Sequence, residues 1–137
     1  MFSGGQALAP GMAQAGDGAV SNMGSAPWMR GRPNLAGSTT AKASILGLTR
    51  ALARQLGGRN IRVNAVVPGA IVTDRQTALH HDPAADQALL EAQCLKLRLD
   101  TGHVSRVTLF MASDDRNGLT GQPVRVDAGI GQCWVMG

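Results

Sequence analysis

Chemistry is most concentrated in the segment SAPWMRGRPNLAGSTTAK, from Ser25 to Lys42, where three polar side chains stand at suggestive spacings. Ser38 and Lys42 are four residues apart, so on a helix both lie on one face, within reach of a shared ligand. Ser25 precedes them in a Pro- and Gly-containing run that reads as a loop. A second stretch, VPGAIVT from Val67 to Thr73, offers a glycine that lets backbone approach a ligand closely and a threonine that can both donate and accept. Taken singly, Ser38 is equally explained as a first-turn helix residue lending a capping oxygen, and Lys42 as a solvated helix lysine. His80, His81, His103 and Cys94 lack metal-ligand spacing, so no metal site is expected.

The elements around these residues must position them. From about Asn34 to Leu56 the apolar residues Ala41, Ile45, Leu48, Leu52 and Leu56 recur at three-to-four spacing, which predicts a long amphipathic helix stopped by Gly57 and Gly58. Ahead of it, AVSNM (Ala19 to Met23) predicts a short strand delivering Ser25 to its loop, and such strand ends are where open α/β sheets place their ligands. Behind it, IRVNAVV (Ile61 to Val67) is apolar and β-branched enough for a parallel strand covered on both faces. Residues 2–15 carry a helical pattern in Ala9, Met12 and Ala13 that Gly4, Gly5, Pro10 and Gly11 interrupt, a poor helix on its own.

Residues 75–99 form a long excursion with a helix predicted from about Pro83 to Gln93, started by Asp82 and Pro83, and excursions of this kind often act as substrate lids. A helix over Gly102 to Ser113, with Val104, Val107, Phe110 and Met111 inward, and a last strand near Val124 to Val126 complete the order. Helices alternate with strands, which means a parallel sheet with helices on its faces.

Composition narrows the class. A chain of 137 residues suffices for one domain with one core. The 13 Lys plus Arg, against 9 Asp plus Glu, are scattered rather than clustered, so no nucleic-acid footprint is expected. No apolar run approaches the roughly 20 residues of a membrane span, and the N-terminus lacks the basic start and apolar centre of a signal peptide, which makes the cytoplasm the expected location. Cys94 and Cys133, without CxxC spacing, fit a reducing compartment.

The segment from Ser25 to Lys42 is closely similar to the active-site segment of the classical short-chain dehydrogenases/reductases, in which a Ser is followed by a Tyr and then a Lys at these same spacings. SNMGS around Asn22, VPGAIVT, and TGQPVRVDAG from Thr120 to Gly129 resemble three further motifs in the family's order. The likeness runs from roughly Ala7 to Gly129. The wording of AQCLK and PGAIVTDRQ resembles the sugar-oxidising branch, the aldose and deoxysugar dehydrogenases.

The resemblance implies a Rossmann-type three-layer α/β/α fold in truncated form, with 1–137 a single partial domain holding the last strands of the parallel sheet and their helices. It implies NAD or NADP as cofactor, a sugar or other secondary alcohol as substrate, and homo-oligomers formed through the helix 34–56. Carried over by position, Ser25 would orient the substrate oxygen and Lys42 would hold the nicotinamide ribose. The loop containing Pro68, Gly69, Ile71 and Thr73 would hold the nicotinamide carboxamide, through backbone at Ile71 and the hydroxyl of Thr73.

Two departures bear on activity. Ser38 stands where the family has its general acid or base, a Tyr, and the chain contains no tyrosine. A serine hydroxyl falls short of the phenol position by roughly 4 Å, more than the about 3 Å reach of proton transfer, and is a weaker acid than a phenol of pKa about 10. The glycine-rich turn that binds a dinucleotide pyrophosphate has no counterpart, since Gly11, Gly16 and Gly18 are wrongly spaced and follow no strand. Two readings remain: the catalytic and substrate half of an NAD(P)-dependent oxidoreductase that needs its other half, or a non-catalytic module whose long helix still mediates assembly. In both, the strand at Ala19 to Met23 is an exposed edge, and marginal stability as a monomer is expected.

Overall fold

The computed structural model describes residues 2–30, 34–74, 77, 82–114 and 117–132. Helix α1 (Phe2–Ala15) leads into strand β1 (Gly18–Met23), a short 3-10 helix (Ala26–Arg30), the long helix α2 (Ala36–Leu56) and strand β2 (Ile61–Pro68). The two-residue strands β3 (Ile71–Val72) and β4 (Leu99–Asp100) bracket helix α3 (Pro83–Ala92), and helix α4 (Thr101–Ala112) and strand β5 (Pro123–Val126) follow. The main sheet is parallel, in the order β1-β2-β5.

Alternation along the central strand sets the layers. Ile61, Val63, Ala65 and Val67 pack with Ile45, Leu52, Ala53 and Leu56 of α2, and Ala9 of α1 joins the same core. The intervening residues serve the other face. There Arg62 donates to the Ser113 carbonyl just beyond α4, and the Asn64 amide donates to the Leu119 carbonyl and accepts from the Gln122 backbone N–H. Helices therefore cover both faces of the sheet, as the Rossmann-type reading requires.

Several local expectations are corrected. Helix α1 is continuous despite its glycines and Pro10. Burial of Ala9, with Met12 and Ala13 packed against the α2 and β2 core, offsets the cost of about 1 kcal/mol per interior glycine. Gly18 permits that approach, because a Cβ there would stand 2.8 Å from the Met12 side chain. Helix α2 begins at Ala36 rather than Asn34, whose φ of 63° is left-handed and cannot belong to the helix.

At the other end the glycines are not what turns the chain. Gly57 keeps a right-handed φ of −59°, a short 3-10 turn follows, and Asn60 takes the left-handed position at φ 57°. Asparagine tolerates that region through its short polar side chain. Here the side-chain amide donates to the Gly16 carbonyl at 2.8 Å and so joins the entries into β1 and β2.

In α4, Met111 is buried but Phe110 is 46% exposed rather than inward. Successive helical residues are about 100° apart, so the line that runs through Val104, Thr108 and Met111 leaves Phe110 outside. The residues after Ser25, expected to be irregular, form the 3-10 helix that packs on α2. The start of α3 is as expected, with Pro83 first and the Asp82 carboxylate accepting from Ala84 N–H at 3.0 Å.

Candidate functional site

The carboxyl ends of β1, β2 and β5 lie at one edge of the sheet because the strands are parallel, and Ser25, Pro68 and Gly69 stand at or just beyond those ends. Ser25 follows β1 directly. Gly24 N–H donates to the Val66 carbonyl at 2.7 Å, holding the chain against β2 as it leaves the sheet. Ala26, 1% exposed, packs with Ile45, Ala65 and Val67, so half-buried Ser25 is set beside α2. Lys42, also half-buried, lies three residues before Ile45 and hence on the adjoining part of the same helix face.

A buried polar link fixes this arrangement, and the sequence reading missed it. Asn22 Nδ2 donates to Thr49 Oγ1 at 3.0 Å, and that hydroxyl donates to the Ile45 carbonyl at 2.7 Å. Both side chains are buried, so β1 and α2 are locked together three residues before Ser25 and seven after Lys42. The family-like position of Asn22 was visible in the sequence, while its partner on the helix was not.

Ser38 sits in the exposed first turn of α2, one turn before Lys42. Its suspected capping role is absent: Leu35 occupies the N-cap, and no side chain caps the helix.

The loop after β2 is built around close packing. Gly69 N–H donates to the Val126 carbonyl, and a Cβ on Gly69 would meet the Asp127 Cα at 2.8 Å. The glycine is therefore needed for close packing against the end of β5. Asp127, 6% exposed, turns the chain beyond β5 by accepting from Gly129 and Gly131 N–H, each at 3.0 Å. The Thr73 carbonyl accepts from both the backbone and the hydroxyl of Thr77.

Pro68 and Ile71 line an apolar groove of about 570 Å³ together with Met23 of β1 and the face of α4 that carries Thr101, Val104 and Leu109. The sequence reading gave α4 only a packing role. The signal it contained was the polar series Thr101, Ser105, Thr108 at helical spacing, all of which line the groove.

The excursion is anchored at its base. Strands β3 and β4 pair in parallel, Ile71 with Leu99 and Val72 with Asp100, which two-residue strands could not announce in sequence. Arg98 and Asp86 form an ion pair at 2.5 Å that raises the guanidinium above its ordinary value, first through their hydrogen bond. Cys94 and Leu95 N–H both donate to the Ala128 carbonyl. At the start of α4, the Asp100 carboxylate accepts from the His103 backbone N–H at 3.0 Å, and its contacts with His103, the side chain first, hold the carboxyl below its usual range.

His80, His81 and Cys133 lie outside the described residues; among those described, no three His, Cys, Asp or Glu side chains converge on a metal position. Among the described residues, no helix is long and apolar enough to cross a membrane.

A dinucleotide asks for a place for its ring and a place for its phosphates. The apolar groove beside Pro68 and Ile71 suits a flat ring, whereas Gly11, Gly16 and Gly18 lie in or after α1 and lead from helix into strand. A phosphate-binding turn needs the opposite order, strand into helix, so that N–H groups at a helix start face the phosphates. Among the described residues, no strand-to-helix glycine turn of that kind is present.

Comparison with known proteins agrees with this geometry. The family model described as enoyl-(acyl carrier protein) reductase matches residues 1–131. The chain is 48% identical to the D-xylose 1-dehydrogenase of Caulobacter vibrioides over 124 residues, 90% of this chain and 50% of that protein. A gluconate 5-dehydrogenase from Burkholderia cenocepacia, solved with NADP and tartrate, superposes with a TM-score of 0.89 at 25% identity, over 97% of this chain and 52% of that one. A 3-oxoacyl-[acyl-carrier protein] reductase from Brucella melitensis with bound NAD gives a TM-score of 0.80 at 30% identity, over 95% and 47% respectively.

The fold is a Rossmann-type parallel sheet with flanking helices, in truncated form. The chain belongs to the classical short-chain dehydrogenase/reductase family, and it spans about half the length of the relatives it matches.

Proposed function

We propose that this chain is the substrate-side half of an NAD(P)-dependent oxidoreductase acting on a sugar or other secondary alcohol, and that it transfers no hydride by itself. Ser25 orients the substrate oxygen, Lys42 holds the nicotinamide ribose, and the groove beside Pro68, Gly69, Ile71 and Thr73 receives the nicotinamide, with residues 75–99 as the lid. The relatives named for xylose and gluconate support the sugar class, and those solved with NADP and NAD support the cofactor class without choosing between them.

The observation that carries the inactivity is the position of Ser38. It stands one helical turn from Lys42, where a phenol would have to project. Its hydroxyl is short by roughly 4 Å and too weak an acid to exchange a proton with the substrate. The reduced compartment and cytoplasmic location expected from composition belong to this same proposal.

A second reading rests on the outer face of α2, where Ala41, Ser44, Gly47 and Ala51 are exposed and small enough for another backbone to come close. In it the chain is a non-catalytic module that assembles homo-oligomers through α2. One experiment separates the two. Ser38→Tyr in a chain joined to a nucleotide-binding half should restore alcohol-dependent reduction of NAD or NADP on a sugar panel, while the parent fusion stays silent. Oligomers in sedimentation without turnover in the Ser38→Tyr fusion would favour the module.

A further inference from the structure

Of the five asparagines in the chain, four are protected, each in its own way. Asn22 and Asn64 are buried, the first donating to Thr49 and the second bonded to Leu119 and Gln122. Asn60 donates to the Gly16 carbonyl and is followed by buried Ile61. Asn34 is exposed, but the branched side chain of Leu35 crowds the backbone nitrogen next to it.

Asn117 has none of these protections. It is exposed in the turn between α4 and β5, its backbone N–H donates to the Asp114 carbonyl at 3.3 Å, and its side-chain amide has no partner among the described residues. Gly118 follows at φ 96°, exposed, with its N–H likewise unpartnered among the described residues and open space where a Cβ would stand. Asp17 also precedes a glycine, but Gly18 is held in β1 opposite Ile61 and pressed against Met12.

We infer that Asn117 is a modification site, where the side chain closes onto the Gly118 nitrogen and is converted to aspartate or isoaspartate. Hydroxide takes the Gly118 amide proton, the nitrogen attacks Asn117 Cγ, and the side-chain amide leaves as ammonia with a proton from water. The succinimide so formed then takes up one water. Opening at one carbonyl gives aspartate, while opening at the other gives isoaspartate, whose main chain runs through the side-chain carbon and is one methylene longer. No oxidant or cofactor enters. Glycine permits the closure because its backbone turns freely and carries no Cβ to obstruct the ring.

The position makes the longer product felt. Just beyond it the Leu119 carbonyl accepts from buried Asn64, the Thr120 hydroxyl accepts from Val63 N–H at 3.0 Å, and Gly121 N–H donates to the Val63 carbonyl at 2.7 Å. These bonds bring the chain alongside β2 before β5 begins. An added methylene at residue 117 displaces their donors and acceptors, so the isoaspartyl form holds this seam less firmly. Either product replaces a neutral amide by one carboxylate and takes the net charge from +4 to +3.

The test needs no turnover. The chain is aged for days in mildly alkaline buffer, digested with pepsin in acid, where the reaction is suppressed, and read by mass spectrometry. The peptide holding Asn117 should gain the mass difference between an amide and a carboxyl group, while the other asparagines keep theirs. Isoelectric focusing should show a matching acidic form. A purified isoaspartyl carboxyl methyltransferase, given S-adenosylmethionine with a labelled methyl group, should label the aged chain and not the fresh one. The label should be lost in Asn117→Gln, whose longer side chain closes a larger, slower-forming ring. The isoaspartyl form should also exchange its Val63 and Gly121 amide hydrogens faster than the parent. An Asn117 that keeps its amide, or that changes no faster than Asn34, overturns the inference, as does labelling that persists in Asn117→Gln. Unchanged exchange at Val63 and Gly121 overturns the effect on the seam.

Discussion

The two faces of the sheet are finished to different degrees. On the α1 and α2 face, Ile61, Val63, Ala65 and Val67 are each at most 1% exposed, and Asn22, the one polar side chain identified there on β1, is bonded to Thr49. On the α4 face, that helix is, among the described residues, the one that spans the three strands, and it leaves the groove, Leu109 and Phe110 open. Sequence alone distributes apolar residues to both faces, and among the described residues one of these layers is closed while the other keeps an open groove. The comparison teaches that an apolar pattern does not by itself say which surface is covered.

Substitutions on the two faces should therefore differ most. Leu52→Ala, in the core shared by α1, α2 and β2, is expected to cost about 2 to 4 kcal/mol, most of the stability of a chain expected below about 5 kcal/mol. Leu109→Ala on α4 should stay within about 0.5 kcal/mol. Equal losses in urea unfolding would erase the contrast between the faces.

A smaller effect tests the polar link. Thr49→Val conserves shape but leaves Asn22 Nδ2 buried without its acceptor, for an expected loss of about 1 to 3 kcal/mol. The accompanying sign is faster amide exchange at Gly24 and Ser25, since the clamp ahead of them is gone. Unchanged exchange there would separate the link from the position of Ser25.

The least effect belongs to the exposed capping box of α4. The Asp100 carboxyl is held low by the His103 side chain, so its contribution is present above the ordinary carboxylate range and is lost as pH falls through the lowered folded value. Asp100→Asn should make the fall of Tm between neutral and acidic pH slightly shallower. A steeper fall would mean that the pair does not favour the folded state.

What was legible in sequence follows from length and period. The stripe from Ile45 to Leu56 spans several turns, so α2 could be read from its own pattern, and Asp82-Pro83 announced α3. The ends of α2 could not be read so well, because Asn34 and Asn60 adopt left-handed backbone that the neighbouring glycines seemed better suited to take. Helix α1 lay beyond local reasoning, since its stability comes from Leu48 and Leu52, some forty residues away. The same holds at the site. Ser25, Ser38 and Lys42 were visible from their spacing, while the Asn22 to Thr49 link and the α4 wall of the groove depend on which elements meet.

One contact carries an implication for how the chain is made. Asn60 reaches back 44 residues to the Gly16 carbonyl, at the doorway of both parallel strands. During synthesis at roughly 5 to 20 residues per second, β1 emerges from the ribosome and waits roughly two to nine seconds before its neighbour can be laid beside it. For that interval the flank that β2 will cover stays open. Slower synthesis lengthens the wait, and with it the time in which that flank can catch a strand of another molecule.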